Sequence, residues 1–157
     1  MVVWTYDWSG NFSDYDINVQ AISMDGSLAG SMEAVANSVE NETDSAIACE
    51  VDDYTCLVVY EKEVSGDPEI KGRRVHMTNF GLDLPEAEFH TGSDNDHDYN
   101  PSVTWSMPLE EYLVVWQDWY VDGTIYHDRI RTSAIFEDEQ GSGYYDEIKL
   151  APVYLNP

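Results

Sequence analysis

The sequence predicts an all-β fold built from one antiparallel sheet repeated along the chain, and three observations carry that prediction. First, a short apolar strand recurs as MVVW at Met1–Trp4, LVVY at Leu57–Tyr60 and LVVW at Leu113–Trp116. These start at 1, 57 and 113, so one spacing of 56 residues occurs twice, and a fixed period of this length marks an array of supersecondary units. Second, the other apolar segments are short, β-branched or aromatic, and bounded by turn residues. Third, no long segment carries a helical period. Ser31–Glu40 reads as a short helix when taken alone, but it occupies the outer-strand position of its unit.

Each unit resolves into four strands. The first is Ser45–Glu50, Pro101–Ser106 or Ala151–Leu155; Ile47 and Val103 lie 13 residues before Tyr60 and Trp116, and Val153 marks the third copy. The VVW strand follows. The third strand carries Ile17 and Ile22, Ile70 and Val75, or Ile125 and Ile130, each pair five apart and beginning 13, 10 or 9 residues beyond Trp4, Tyr60 or Trp116. Turn-like stretches come next, Met24–Ser27 and Asn79–Gly81, with Glu137–Gly141 the least regular. A weak outer strand completes the unit. In the VVW strand Leu57 and Val59 point one way and Val58 and Tyr60 the other, so the strand is apolar on both faces. A sheet with one wet face would alternate; this one belongs between neighbouring sheets. Four-stranded sheets stacked in this way make a β-propeller.

The unit NPSVTW…EEYLVVW…IYHDRI resembles the blades of a broad family of bacterial β-propellers. Pro101, Val103, Trp105, Glu111, Tyr112, Leu113, Val114, Val115, Trp116, Ile125, Tyr126, Arg129 and Ile130 carry the resemblance. It recurs more weakly in the other two units and so covers nearly the whole chain. Tyr60 replaces Trp in one unit, and Ala21 stands where Arg74 and Arg129 are aligned in the others. The resemblance implies blade architecture and leaves function open, because propellers host unrelated activities.

Three blades do not close a ring, since propellers have four to eight. Residues 1–157 therefore read as one propeller half, with strand 151–155 completing the blade that begins with strand 1–6 of a partner chain. The expectation is a head-to-tail homodimer forming a six-bladed ring with strand exchange, which also hides an open sheet edge. The alternative is part of a longer propeller; a nine-bladed trimer exceeds the usual blade counts.

Hydrophobic residues make up 43% of the 157 residues and aromatics 13%, enough for a real core, while 31 Asp and Glu against 7 Lys and Arg give a net charge of −24. That charge excludes an electrostatic nucleic-acid binder, which must neutralise phosphates, and disfavours anionic membrane surfaces. No segment has the apolar length of a membrane span, and the first residues lack the features of a secretory signal. The compartment is left open between cytoplasm and exterior, the latter if a leader has been removed. Cys49 and Cys56, seven apart, can bridge a hairpin or remain two buried thiols.

Strand alternation places the loops Val39–Asp44 and Thr91–Asn100 on the same face as Tyr6–Asp14, Glu61–Glu69 and Gln117–Gly123. Asp94, Asp96 and Asp98 form D-x-D-x-D, a partial match to a calcium loop, against the reading of a solvated acidic loop; Ca²⁺ is the one cofactor this suggests. Trp8, Trp119 and Tyr120 fall in these loops, and aromatic faces beside carboxylates suit sugar rings or quaternary amines. Trp4, Tyr60, Trp105 and Trp116 lie within strands and read as core between blades. His76, His90, His97 and His127 have no metal-ligand spacing. Arg73, Arg74, Arg129 and Arg131 are expected to pair with carboxylates. The sialidase-type box, HExxH, GxSxG and phosphate-loop motifs are absent, so no catalytic residue is assigned. The leading expectation is a non-enzymatic recognition module, lectin-like or calcium-supported. A glycosidase using paired carboxylates and a scaffold are the alternatives.

Overall fold

The computed structural model describes residues 1–10, 14–50, 52, 54–77, 87–88, 97–137 and 143–146. They form eleven strands and, among the described residues, no helix; accordingly no helix is long and apolar enough to cross a membrane. The strands are β1 (Val2–Asp7), β2 (Tyr15–Ile22), β3 (Leu28–Ala36), β4 (Glu42–Glu50), β5 (Thr55–Val64), β6 (Asp67–His76), β7 (Ala87–Glu88), β8 (His97–Ser106), β9 (Glu111–Asp122), β10 (Ile125–Glu137) and β11 (Gly143–Asp146). They make three antiparallel sheets in chain order, β1-β2-β3, β4-β5-β6-β7 and β8-β9-β10-β11. Ser31–Ala36 belongs to strand β3. The expected strand Ala151–Leu155 lies outside the described residues.

The second sheet lies between the other two, and β5 shows why its sequence is apolar on both faces. Val58, Tyr60 and Val75 pack with Ile17, Val19 and Val35 of the first sheet. Leu57, Val59 and Ile70 pack with Tyr112, Val114 and Trp116 of the third. Each core valine or isoleucine removed from water contributes about 1.5–3 kcal/mol. Tyr112 also crosses the second joint, its hydroxyl donating to the carbonyl of Thr55 at 3.2 Å.

The period of 56 reappears in the backbone. Asp44 and Asn100 have φ of 48° and 52°, and Tyr54 and Glu110 have 55° and 53°. Asp44 and Asn100 sit at matching register shifts in β4 and β8, and short polar side chains tolerate this left-handed conformation. Cys49 faces Cys56 across β4 and β5, and the two form a disulfide.

Two parts of the expected layout change. Glu61–Glu69 and Gln117–Gly123 are mostly strand rather than loop. The chain pairs to Val64↔Asp67 and to Asp122↔Ile125, leaving two-residue turns at Ser65-Gly66 and Gly123-Thr124. Ser65 and Gly66 both have positive φ, at 56° and 93°, the hairpin geometry that matches strand twist. The second change follows from the longer β9–β10 arms. Ile70 pairs with Glu61, next to Tyr60, whereas Ile130 pairs with Gln117, next to Trp116. Ile130 and Ile135 are thus the register equivalents of Ile70 and Val75, in place of Ile125 and Ile130. Likewise Arg74 opposite Leu57 corresponds to Ala134 opposite Leu113, so Arg129 has a different place in its blade.

Candidate functional site

The ends of β1, β5 and β9 and the starts of β2, β4, β6, β8 and β10 meet at one end of the stack, and the acids gather there. Four carboxylates at this end are buried within the framework. Asp98, 2% exposed, accepts the Trp116 indole N–H at 2.9 Å. Asp118 is fully buried and accepts from both Arg129 and Arg131, the pairing expected for these arginines. Glu61 accepts the backbone N–H of Asn100 and so ties the second sheet to the third. Burial, then the nearby charge of Asp44, pushes the Glu61 carboxyl up. Glu42 takes the Ser38 hydroxyl and lies 3.7 Å from Lys62; burial outweighs both and raises it.

A second polar group, only partly buried at Asp14 and Asp16 and buried at Asn18, lies at this end of the first sheet. Asp14, Asp16 and Asn18 alternate along the start of β2 and point to the face of the first sheet away from the second. With Trp8, Met32 and Ala34 they line a groove of about 370 Å³, near the lower end of ligand-pocket volumes. The Asp7 carboxylate accepts from the Ser9 hydroxyl and the Gly10 N–H, both at 2.8 Å, and this turn holds Trp8 outward. Trp8 is 71% exposed, with its ring edge-on to Tyr6 at 6.0 Å. Burial, then the charge of Asp14, raises the Asp16 carboxyl. Asp14 Oδ1 is buried without a hydrogen-bond partner among the described residues. The groove therefore offers an apolar floor, an aromatic wall and a row of acceptors. The alternation D-x-D-x-N was the sequence signal for it, hidden because residues 6–14 read as loop.

The three expected aromatics separate. Trp8 follows β1, whereas Trp119 and Tyr120 are consecutive residues of β9 rather than loop residues, and so point to opposite faces of the third sheet. Trp119 packs against His97, with ring centroids 4.9 Å apart. Tyr120 stacks on His127 at 4.9 Å and carries the Arg129 guanidinium over its ring at 3.9 Å. Within one chain, then, Trp8 alone of the three stands at the groove. Asp94 and Asp96 lie outside the described residues, and among the described residues no three His, Cys, Asp or Glu side chains are grouped to hold a metal ion.

No family model and no curated protein matches the chain. Its fold is similar to a solved structure, the crystal structure of a thermostable family-43 glycoside hydrolase, a β-propeller. The match has a TM-score of 0.51 at 13% identity and covers 88% of this chain. The chain spans about half the length of that structure, 50% of it being covered. At this identity the likeness is one of fold.

Proposed function

We propose that the chain is a carbohydrate-recognition module of β-propeller architecture, with the Trp8–Asp16 groove as its sugar site. The exposed Trp8 indole beside the groove carboxyls of Asp14 and Asp16 carries the reading. A sugar ring lays its apolar C–H face on an aromatic plane and donates its hydroxyls to acceptors. Asp14 and Asp16 supply such acceptors, and with no cationic side chain among the described residues that line the groove neutral or amino sugars are favoured over uronic acids. A glycan array tests this. Neutral or amino glycans bind, and Trp8→Ala weakens binding tenfold or more, as does Asp16→Ala. Binding unchanged by Trp8→Ala overturns the assignment.

A second reading has an observation of its own. Two carboxyls, Asp14 and Asp16, line the same groove, as the paired acids of glycosidases do, and the fold neighbour is a glycoside hydrolase. Turnover of a chromogenic glycoside panel, lost in Asp16→Asn, would replace recognition by catalysis. Calcium support of the acidic loop belongs to the same proposal and falls to Asp94 and Asp96 of the expected set, because Asp98 is buried in β8 on the Trp116 indole. A melting temperature raised by millimolar Ca²⁺ supports it, since a ligand of the native state must stabilise that state; an unchanged one removes it.

A further inference from the structure

The two joints between sheets are the same joint made twice. The face of the second sheet toward the first presents Val58 and Tyr60, and the face of the third toward the second presents Val114 and Trp116, each 56 residues further on. In return the first sheet offers Met1 and Val3, and the second offers Leu57 and Val59, again 56 apart. The same count identifies the two outward faces. Val2 and Trp4 on the first sheet match Val58 and Tyr60. Leu113 and Val115 on the third match Leu57 and Val59. These outward apolar side chains are only half-buried, and Ile130 beside them, the equivalent of fully buried Ile70, is 51% exposed. The outward faces of the first and third described sheets therefore carry the two complementary halves of the joint that the three sheets already make twice.

We propose that the outward face of the third sheet docks on the outward face of the first sheet of a second copy, head to tail, so that two such joints close a ring of six sheets. A second copy fits because the partner residues of the existing joints recur on these faces at the same register. Docking would also complete the groove, and this part rests on the carbohydrate reading. Trp119 stands on the outward face of the third sheet, three residues beyond Trp116, and Trp8 on that of the first, four beyond Trp4. Trp119 of one copy thus becomes the second wall opposite Trp8 and Asp16 of the other, joining the aromatics that one chain holds apart, while His97 beside it reaches back to Asp67 of the second sheet.

Light scattering gives the first test, a solution mass of twice 17.8 kDa for the unmodified chain. Val2→Arg and Val115→Arg each yield a folded monomer, with an unchanged far-ultraviolet spectrum. Mixing the two restores association, because one of the two joints is then unmodified; two variants that had simply misfolded would not recover on mixing. The cleft is read without any sugar. Trp8→Cys and Trp119→Cys chains cross-link with a short bismaleimide when mixed, and neither does so alone. A monomeric unmodified chain, a dimer that survives Val115→Arg, or mixed cysteine variants that fail to cross-link each overturn the proposal. A monomer that still binds glycans through Trp8 would leave the sugar site standing, and a dimer that binds none would leave the joint standing, so the two failures are distinguishable.

Discussion

The carboxylate of Asp98 accepts the indole N–H of Trp116 at 2.9 Å in the interior of the third sheet. The two residues are on neighbouring strands, and the bond satisfies two polar groups that burial would otherwise penalise. Trp116→Phe keeps much of the apolar volume and removes the donor. Urea unfolding should show a loss of about 1–3 kcal/mol, and Asp98→Asn in the same background should recover part of it. A Trp116→Phe chain as stable as the parent would show that the bond contributes nothing.

Asp118 holds two guanidinium groups on one buried oxygen, Oδ2, with Arg129 and Arg131 as donors. Removing the acid leaves two partly buried cations together. Asp118→Ala should therefore destabilise by about 3–5 kcal/mol. Arg129→Ala should cost less, because Arg131 still neutralises the acid. Equal effects of the two substitutions would contradict this sharing.

Stability should rise on mild acidification. Glu42, Glu61 and Asp16 hold their protons more tightly in the fold than in the open chain, each mainly through burial. An acid of this kind lowers stability as pH rises through its raised value and restores it as pH falls. The window therefore begins at the ordinary values of 4.5 for the glutamates and 3.8 for Asp16 and extends upward. Self-repulsion of the net charge relaxes in the same direction. Asp25 and Glu40, lowered by hydrogen bonds from Ser27 and Ser38, act the other way, but solvent screening keeps their effect small. The melting temperature should be higher at about pH 5 than at about pH 7.5, with a shallower slope in Glu42→Gln. A fall in melting temperature over that interval would refute the sign.

The Cys49–Cys56 bridge closes a short loop, the residues being seven apart. The entropy removed from the unfolded chain is correspondingly modest, about 2 kcal/mol. Reduction, or Cys49→Ser with Cys56→Ser, should lower the unfolding free energy by roughly that amount and leave the β-sheet spectrum intact. Complete unfolding on reduction would show that the hydrophobic joints are weaker than their burial implies.

The sequence alone makes the repeat, the strand content and the two-faced burial of the VVW strand legible. These are local or periodic properties. A strand must put alternate residues on opposite faces, so LVVY could only serve two cores, and Val58 and Val59 do so. It also placed Arg129 and Arg131 among carboxylates, because charge in excess leaves cations few other neighbours. It misjudged where hairpins end. Glu61–Val64 and Gln117–Asp122 are polar enough to read as loops, and only pairing with β6 and β10 keeps them extended. That error shifted the third copy by five residues and put Trp119 and Tyr120 in a loop, when their strand sends them to opposite faces. The groove was hidden for the same kind of reason. Asp14, Asp16 and Asn18 are unremarkable acids and amides in a sequence with 31 Asp and Glu, and what separates them from Asp98, Asp118, Glu42 and Glu61 is which side of which sheet they occupy. Period and pleat follow from covalent geometry and can be read along the chain; the partition of like acids into buried framework and open groove follows from how the sheets stack, which the tertiary structure alone decides.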